Sequence, residues 1–503
     1  MGRLFFTQCI FLVIYVSLFS CQSKKKGRKQ DKPPNILFLS IDDLRPELNC
    51  YGAPVHSPNI DELAAGGVMF QHHYVQVATC IPSRTALLTG LRAERTHQLY
   101  GPSVWPDVPG VSTWGNTFRD AGYEAVSLGK IWHVQGRNTD TFDLSWGAGW
   151  KYNYADPANL EAFANRNKQR RKGIPMDEIT NLPPITEHAN VHDTVYRDGK
   201  LAVKAIRELE RLAKQDNPFM MAVGFVKPHL PFCSPKKYWD LYDEDEIELA
   251  ANPDFPENMP DIAFADHPNF YNYSYGEYPS LVHGKPMPDV TARHLRHAYR
   301  AAVSFVDAQV GLILDELKEL GMEDNTIIVL WGDHGFHLGE TGFWSKHYMF
   351  EWANHSPLII KVPWMEHKEV QCDELVETVD IFPTLLDLCG IPELEVYDGR
   401  SMVPLLEDPD REWKKAVYHV WNRRMNIDGN GELIIGHAVR TEKYRYIRWG
   451  VGWGLQGQEV ASELYDYTKK PYETRNLAND PEYTDICKDM KQLLREGPPG
   501  QFH

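Results

Sequence analysis

Four short apolar runs, each followed directly by polar residues, constrain the fold of this chain more than any other feature. The runs and their polar ends are NILFLSIDD (35–43), YEAVSLGKIWH (123–133), FMMAVGFVKPH (219–229) and TIIVLWGDHG (326–335). Continuous apolar strands are typical of a sheet that is covered on both faces. Because functional sites of open α/β sheets lie at the carboxyl ends of the strands, we expect the four polar clusters to meet at one edge of one sheet.

Helical patterns between these runs favour the α/β class. SPNIDELAAGG (57–67) begins with a cap and a first-turn proline and stops at paired glycines. Residues 291–321 carry apolar side chains at helical spacing, which predicts a long amphipathic helix leading into the strand at Thr326. Two stretches, about 146–181 and 243–289, are rich in Pro, Asn, Tyr and charge. We expect them to be long surface insertions that wall a pocket.

The last part of the chain has a different sequence pattern. HAVRTEKYRYIRWG (437–450) and ELYDYTKKPYETRNLA (463–478) are typical of short antiparallel strands joined by turns. At 503 residues the chain is long enough for one large domain and a smaller one. We therefore predict an α/β catalytic domain at 35–394, with a mixed or parallel sheet flanked by helices, and a C-terminal antiparallel α+β subdomain at 395–503.

Residues 1–20 are predicted to be a signal peptide, because a basic residue precedes an apolar run that is too short for a comfortable membrane span. The segment LFSC (18–21) resembles a bacterial lipobox. This resemblance implies that Cys21 is lipidated, that residues 21–34 form a charged tether and that the protein is anchored at a bacterial membrane, facing the periplasm or the cell surface. The alternative is an ordinary signal peptide cut nearby, with Cys21 incidental. Either reading predicts export.

Charge and cysteine usage exclude some classes of function. The net charge of −16 argues against nucleic acid as a partner, because phosphate backbones attract basic surfaces. It does not exclude a polyanionic substrate, since a basic pocket can lie on an acidic protein. Eight cysteines are widely scattered, and an odd number remains without Cys9, Cys21 and Cys80. They form no evident disulfide framework, although one or two bridges stay possible in an oxidising compartment.

Two pairs of potential metal ligands stand at strand ends: Asp42 with Asp43, and Asp333 with His334. A hard divalent cation binds several carboxylate oxygens, and Ca²⁺ tolerates irregular geometry. The histidine would suit Zn²⁺, but three aspartates against one histidine favour the harder ion. The alternative for such pairs is a solvated turn. We predict one metal site and prefer a single Ca²⁺ ion.

Basic side chains occupy the same strand ends and the loop GETGFWSKH (339–347). These candidates are Arg84, Lys130, His133, Lys227, His229, Lys346 and His347. Lysine and histidine at such positions can bind a tetrahedral oxyanion and transfer protons to a leaving group. Each of them alone is as easily an ordinary surface cation or a core histidine. Together, around a metal site, they predict an anionic substrate such as a sulfate or phosphate ester.

Cys80 lies at the start of a predicted helix in VATCIPSRTALLTGLR (77–92). A helix N-terminus lowers the pKa of a thiol, which favours a nucleophile. A cysteine-protease type of site, however, needs a histidine base with an orienting group and has no use for a metal cluster. A thiolate metal ligand prefers soft ions, and a buried core thiol is the third reading. None of these accounts for the sequence Pro82-Ser83-Arg84.

These residues resemble the sulfatase signature, Cys-x-Pro-Ser-Arg followed by Leu-Thr-Gly, with CIPSR at 80–84 and LTG at 88–90. The resemblance implies that a maturase oxidises Cys80 to formylglycine (3-oxoalanine). One hydroxyl of the hydrated aldehyde then attacks sulfur, and the other later expels the sulfate. The chain has Leu91 where the signature has arginine, and Arg92 follows one place later. We expect the modification to tolerate this difference, with the packing or the partners of Arg92 altered.

The similarity extends over essentially the whole mature chain. LGKIWH (128–133), KPHLPF (227–232) and GDHGFHLGETGFWSKH (332–347) resemble the iduronate-2-sulfatase branch of the family. The resemblance implies an alkaline-phosphatase-like fold with a C-terminal subdomain.

The same resemblance assigns roles to the polar residues. The implied Ca²⁺ ligands are Asp42, Asp43, Asp333, His334 and the modified residue 80. The implied sulfate-contacting residues are Lys130, His133, His229 and Lys346, and Arg84 would steady the hydrated aldehyde. We favour His133 for proton handling around residue 80 and His229 for the leaving group.

The implied function is hydrolysis of sulfate esters in a sulfated polysaccharide or oligosaccharide. A 2-O-sulfated uronic acid, a glycosaminoglycan or an algal polymer such as ulvan would fit. The implied partners are that carbohydrate, the maturase and, through the lipid, a membrane. Two alternatives remain: a phosphodiesterase, phosphatase or phosphonate hydrolase of the same superfamily, and a non-catalytic surface lipoprotein that captures glycans. The intact Cys-x-Pro-Ser-Arg set argues against the second.

Overall fold

The structure is a computed structural model that describes residues 32–498 apart from several gaps. The gaps are 100–110, 134–141, 143, 148, 150–151, 265–268, 393–395, 426–430 and 470–471. The predicted signal peptide, Cys21 and nearly all of the predicted tether lie outside the described residues.

Strands and helices alternate through the first three quarters of the described chain. The strands are β1 (Asn35–Ile41), β2 (Val68–Tyr74), β3 (Glu124–Gly129), β4 (Leu144–Trp146), β5 (Thr186–Glu187), β6 (Phe219–Phe225), β7 (Phe232–Cys233), β8 (Thr326–Gly332), β9 (His337–Leu338), β10 (Trp344–Ser345), β11 (Leu358–Lys361), β12 (Val370–Glu377), β13 (Val417–Met425), β14 (Glu432–Arg440), β15 (Tyr444–Val451) and β16 (Glu459–Asp466). The α-helices are α1 (Pro58–Ala65), α2 (Cys80–Thr89), α3 (Ala93–Thr96), α4 (Trp114–Asp120), α5 (Pro157–Arg171), α6 (Arg197–Leu212), α7 (Lys236–Trp239), α8 (Asp289–Glu319), α9 (Glu351–Asn354), α10 (Ile381–Cys389), α11 (Val403–Glu407) and α12 (Thr484–Glu496).

The four apolar runs form adjacent parallel strands. The main sheet of the described residues has eight strands in the order β12-β2-β11-β8-β1-β6-β3-β4. Strands β8, β1, β6 and β3 run parallel to one another, whereas β11 is antiparallel to both of its neighbours. In β1, Ile41 is paired with Gly332 of β8 and with Phe225 of β6. The polar residues that follow these strands therefore meet at one edge of the sheet, as the sequence predicts.

Both faces of this sheet are buried. Alternate residues of β1 point to opposite faces, as strand geometry requires. Leu37 and Leu39 belong to the core that packs against α1, α6 and α8. Ile36 and Phe38 belong to the core on the other face, with residues of α2, α4 and α10. The coverage on both sides explains why the four runs have no polar face.

Predicted helices agree with the structure to within about two residues. The cap and proline signal corresponds to Pro58–Ala65, and the long amphipathic pattern corresponds to Asp289–Glu319. The first predicted insertion, at 146–181, is not simply a loop, because it contains the 15-residue helix α5. Its hydrophobic pattern is weak, since few of the α5 side chains are buried.

A four-stranded antiparallel sheet, in the order β13-β14-β15-β16, forms the C-terminal part of the described chain. Helix α12 packs on one of its faces through Met490 and Leu494. The other face packs against the segment before α2, where Val77 and Ala78 share a core with Trp421 and Trp449. The architecture agrees with the predicted antiparallel α+β subdomain, whose boundary at 395 stays a prediction.

Two further findings concern cysteines and membrane segments. Among the described cysteines, Cys50, Cys80, Cys233, Cys372 and Cys487 are free thiols. No helix in the described part of the chain is long and apolar enough to cross a membrane.

Arg92, which follows the unusual Leu91, connects the end of the α2 segment to the later half of the chain. Its guanidinium forms a buried ion pair with Glu377, and its backbone N–H donates to Asp398 at 2.7 Å. Loss of one partner of a buried pair leaves an uncompensated charge, which costs about 3–5 kcal/mol. In Arg92→Met, Glu377 would still pair with Lys414 at 2.8 Å, so the loss should lie at the lower end of this range. We expect the substitution to lower the free energy of unfolding by about 3 kcal/mol, measured by urea denaturation.

A matched control for this substitution lies three residues away. The Arg95 side chain is 35% exposed and pairs with Asp398 at 2.7 Å. The Asp398 side chain is only 5% exposed, but it keeps the hydrogen bond from the Arg92 N–H when Arg95 is replaced. Because solvent reaches the Arg95 guanidinium, Arg95→Met should cost less than Arg92→Met, about 1 kcal/mol. Equal losses in the two variants would contradict the assigned role of Arg92.

Candidate active site

Three aspartates and a histidine form a buried cluster where β1 and β8 end. The backbone N–H of Asp43 donates to Asp333 Oδ1 at 2.9 Å, which ties the two strand ends together. His334 Nε2 lies 3.4 Å from Asp43 Oδ1 and 3.6 Å from Asp333 Oδ1. Asp42, the third aspartate, is also fully buried. The predicted pairs therefore come together and are not solvated turns.

The turn that carries Asp43 is held in an unusual backbone conformation. Asp43 has φ 61°, in the left-handed region that few residues other than glycine adopt. The hydroxyl of Tyr299, on α8, donates to the Asp43 carbonyl at 2.7 Å and accepts from the Arg45 N–H at 3.1 Å. Conformations of this kind persist only where the surroundings fix them, and they concentrate at functional sites.

Cys80, the first residue of α2, points into the same cluster. Its Sγ lies 3.4 Å from His334 Nε2, 3.3 Å from Lys346 Nζ and 3.6 Å from Lys130 Nζ. Burial acts to raise the pKa of this thiol, but the two ammonium groups and His334 outweigh it and lower the pKa to about 7. The position of this side chain thus favours a negatively charged or strongly polar group.

The cluster fits a divalent cation. Ligand atoms of Asp42, Cys80, Asp333 and His334 all lie within 4.8 Å of one another. The His334 Nδ1–H donates to the Gly335 carbonyl at 2.9 Å, which orients Nε2 toward the carboxylates. Burial raises the pKa of Asp333 to about 7 even though His334 and Arg84 act to lower it, and a cation bound beside it would stabilise its charged form. Predominantly oxygen ligands favour a hard ion.

Arg84 connects three of the strand ends. Its Nη2 lies 2.9 Å from Asp333 Oδ2 and 3.3 Å from Asp42 Oδ1. Its Nη1 donates to Ser40 Oγ at 3.0 Å and to the Lys130 carbonyl. All of these contacts are buried, so the guanidinium holds the carboxylates and the β3 end in one arrangement.

Close strand packing sets the position of Lys130. Gly129 has φ 74°, and a Cβ atom there would lie 2.2 Å from the Gly224 carbonyl oxygen of β6. Without side chains at these two glycines, β3 approaches β6 closely enough for the Lys130 N–H to donate to the Gly224 carbonyl at 2.7 Å. The ammonium of Lys130 then reaches the Asp42 carboxylate.

Lys346 lies in a loop that is braced by the C-terminal sheet. The residues on either side of it, Ser345 and His347, have φ 86° and 84°. The His347 ring stacks on Trp421 of β13 at 5.3 Å, and Arg423 donates to the His347 carbonyl at 2.6 Å. This support directs the Lys346 ammonium to the Asp43 carboxylate and to Cys80.

The two histidines predicted to handle protons line one cavity of about 380 Å³. Burial lowers the pKa of both His133 and His229 to about 3, so both rings are neutral at neutral pH. His229 Nδ1–H donates to the Leu230 carbonyl at 2.6 Å, which leaves the Nε2 lone pair as its proton acceptor. Asp43 also lines this cavity, so the cavity reaches the metal cluster.

Two other sequence candidates contact the protein rather than this cavity. The Lys227 ammonium donates to the His229 carbonyl at 3.0 Å and to the Pro231 carbonyl, so it holds the loop that carries His229. His347 lies beside the cluster, with Nε2 3.5 Å from Thr79 Oγ1. Substrate binding by Lys227 or His347 stays a prediction.

Sequence reasoning missed most of the cavity wall. The additional lining residues are Asn153, Phe163, Arg166, Asn167, Arg170, Arg171, Leu230, Asn269, Asn272 and Tyr273. All but Leu230 belong to the two insertions that the sequence predicts to wall a pocket. The spacing of Arg166 and Arg170, four residues apart on one helix face, is a signal that could have identified the basic side of this wall.

The sequence and the structure were compared with those of known proteins. The family model described as "Sulfatase" matches residues 34–391, and the one described as "N-sulphoglucosamine sulphohydrolase, C-terminal" matches residues 339–498. The chain is 30% identical over 538 residues to iduronate 2-sulfatase of Mus musculus, an alignment that covers 93% of this chain and 95% of that one. It is 29% identical over 505 residues to a sulfatase of Formosa agariphila, covering 96% and 91% of the two chains.

Solved structures share the fold. One, a protein in complex with its substrate D-glucosamine-2-N,6-O-disulfate, superposes with a TM-score of 0.70 at 23% identity, covering 92% of this chain and 97% of that one. The phosphonate monoester hydrolase of Agrobacterium radiobacter superposes with a TM-score of 0.71 at 23% identity, covering 91% and 94%. The predicted alkaline-phosphatase-like architecture, with its mixed sheet and C-terminal antiparallel sheet, is confirmed.

Proposed function

The chain belongs to the sulfatase family and is a sulfuric ester hydrolase, and we propose that it removes sulfate from a sulfated sugar with a formylglycine made from Cys80. The observation that carries the proposal is the position of Cys80 Sγ between the Lys130 and Lys346 ammonium groups and beside His334. The family generally uses formylglycine and a divalent metal, and the residues present fit both.

Formylglycine supplies, in its hydrated form, an oxygen nucleophile at residue 80. Lys130 and Lys346 are placed to stabilise negative charge there, because both ammonium groups lie within 3.6 Å of Sγ. Pro82, Ser83 and Arg84 serve as the recognition sequence for a maturase before folding. After folding, Arg84 is buried and positions Asp42 and Asp333.

Asp42, Asp43, Asp333 and His334 would hold the metal ion, together with residue 80, and we take that ion to be Ca²⁺. The predominance of carboxylate oxygens among these ligands supports the assignment. Held there, the ion would supply Lewis acidity to a sulfate oxygen. Arg84 keeps the carboxylates in place around it.

A sulfated sugar is the substrate class that the cavity and the relatives support. The cavity volume falls within the range of about 300–1,000 Å³ that is usual for small-molecule sites. The relatives include iduronate 2-sulfatases and an ulvan-active sulfatase of Formosa agariphila, which is 27% identical over 501 residues. Free-sulfate release from a panel of defined 2-O-sulfated uronic acid, glycosaminoglycan and ulvan oligosaccharides tests the proposal.

Cleavage of a phosphorus ester is the second candidate, because phosphonate monoester hydrolases share the fold. Turnover of an aryl sulfate and of an aryl phosphonate monoester on the same aryl group separates the two. We expect a higher kcat/KM for the sulfate. A clear preference for the phosphonate would overturn the proposed function.

His229 is assigned to the leaving group, and substitution tests that role. Its ring is neutral when the site is empty, and an anionic sulfate ester bound beside it raises its pKa toward the protonated form. We expect His229→Ala to lower kcat/KM for a sugar sulfate by about 10²–10⁴-fold. The loss for an aryl sulfate should be smaller, because a phenolate leaves without a proton.

His133 provides the matched comparison for this experiment. Because it is assigned to proton handling at residue 80, His133→Ala should lower kcat/KM for both substrates to a similar extent. The opposite pattern in the two variants would exchange the roles of the histidines.

Export and lipid anchoring at Cys21 complete the proposal and rest on the LFSC segment alone. We expect the protein to be recovered with the bacterial membrane fraction. Cys21→Ala should release it into the soluble fraction, and equal recovery of the two forms with membranes would contradict the anchor.

A further inference from the structure

One side of the cavity that contains His133 and His229 is strongly basic. Arg166, Arg170 and Arg171 of α5 all line it. Among the lining residues that the structure describes, the sole acidic side chain is that of Asp43, which belongs to the metal cluster. The whole chain carries a net charge of −16, so this wall is a local concentration of positive charge that the composition does not account for.

Arg166 is the buried residue of this wall and is held in place by its neighbours. It is 5% exposed, and its guanidinium lies 4.5 Å from the centre of the Phe163 ring and 5.0 Å from that of Tyr273. It donates to the Asn272 carbonyl at 3.2 Å and to Asn167 Oδ1 at 3.0 Å. Within the described part of the chain it contacts no carboxylate. Because a buried charge without a counter-charge is costly, an anion in the cavity would stabilise it.

Arg170 and Arg171 extend the wall toward solvent. Both are exposed and neither forms an ion pair with another described residue. Basic residues are common in the last turn of a helix because they complement its dipole. That explanation covers Arg170 and Arg171 but not the buried Arg166 one turn earlier. Lys168 lies in the same turn and does not line the cavity. The helix dipole therefore does not explain why the three arginines all face the cavity.

We propose that Arg166, Arg170 and Arg171 form a subsite for a second anionic group of the substrate, a carboxylate or a second sulfate, while the scissile sulfate is bound at residue 80. This inference rests on the proposed function. Planar guanidinium groups suit both anions, because they donate two parallel hydrogen bonds to a pair of oxygens. Phe163 and Tyr273 pack against the Arg166 guanidinium, so the buried part of the subsite is preorganised.

Three matched methyl glycosides test the proposal. The first is a monosulfated hexoside, whose sulfate is its single negative charge, the second is the corresponding monosulfated uronoside and the third is the corresponding disulfated hexoside. We expect the wild-type kcat/KM to be roughly 10–100-fold higher for at least one of the doubly anionic sugars, the effect of one charge-assisted bidentate contact. The sugar that shows the preference identifies the anion as carboxylate or sulfate.

The variants assign the preference to the wall. The preference is measured as kcat/KM for the preferred doubly anionic sugar divided by kcat/KM for the monosulfated hexoside. The double substitution Arg170→Ala/Arg171→Ala should lower this ratio by about 10-fold. Arg166→Lys, which keeps the charge but not the planar fork, should lower it by a similar factor. Lys168→Ala removes a neighbouring charge of the same helix and should retain the wild-type ratio. The preference should also weaken as salt is added, because part of the subsite is exposed.

The failures of the inference and of the proposed function can be distinguished. Release of sulfate from all three glycosides at equal kcat/KM would overturn the subsite and leave the sulfatase activity standing. An equal effect of Lys168→Ala would also overturn it, because the cause would then be general charge. Release from none of the glycosides, together with no hydrolysis of an aryl sulfate, would refute the proposed function itself.

Discussion

Cys80→Ala should lower kcat/KM for sulfate ester hydrolysis by on the order of 10⁶-fold, the scale on which removal of a covalent nucleophile acts in other hydrolases. The substitution removes the group that formylglycine would be made from and leaves the surrounding lysines in place. Alanine is smaller than cysteine and apolar, so the buried site should still fold. Sulfate release and a thermal unfolding curve, measured on the same preparation, separate loss of chemistry from loss of structure.

A second thiol provides the control for this experiment. Cys487, on α12, is partly exposed and lies outside the site, so Cys487→Ala should retain wild-type activity. In the active wild-type enzyme, mass spectrometry should find an aldehyde in place of the thiol in the peptide that contains residue 80. Retained activity in Cys80→Ala, or an unmodified thiol in fully active enzyme, would remove the proposed mechanism.

Removal of the metal ion should lower kcat/KM by on the order of 10³-fold. A Lewis acid that stabilises a developing negative charge lowers the activation free energy by several kcal/mol. Chelation followed by dialysis should lower sulfate release to that extent, and Ca²⁺ should restore it. Restoration by Zn²⁺ but not by Ca²⁺ would contradict the assignment of the ion.

Binding of the ion can also be measured without any substrate. A ligand that binds only the folded protein stabilises it by about 2.7 kcal/mol at a concentration of 100 times its Kd. Ca²⁺ should therefore raise the Tm of the wild-type protein, and Asp333→Asn should lose most of that increase. Asp315 is an exposed carboxylate near the end of α8 that leads into β8, away from the cluster, so Asp315→Asn should keep the full increase.

The strand ends could be predicted because the information is local. Each apolar run predicts a strand without reference to the rest of the chain. The general rule for open α/β sheets then places the carboxyl ends of these strands together. The neighbourhood of Asp42 and Asp333 follows from that rule, although the two residues are 291 positions apart. The backbone geometry of Asp43 could not be predicted, because it depends on the Tyr299 hydroxyl of a distant helix.

The individual contacts within the cavity wall and around Lys346 could not be predicted, for a different reason. Arg166 lies in the wall because Tyr273 and Asn272, from the second insertion, pack against it. His347 is held by Trp421 and Arg423, which reach it from β13. Such contacts between segments without a shared pattern depend on tertiary packing, and no periodicity in either segment reveals them.

The basic wall stands on α5, between β4 and β5. The groups assigned to bond cleavage instead follow strands of the central sheet or lie on α2 and in the Lys346 loop. Changes in the length or composition of that insertion alter the shape and charge of the cavity without disturbing the sheet edge. Duplicated genes for a chain of this architecture can therefore diverge in the sugars that they accept while the reaction stays the same. Exchange of the α5 insertion between such paralogues offers a direct route to enzymes with new specificities.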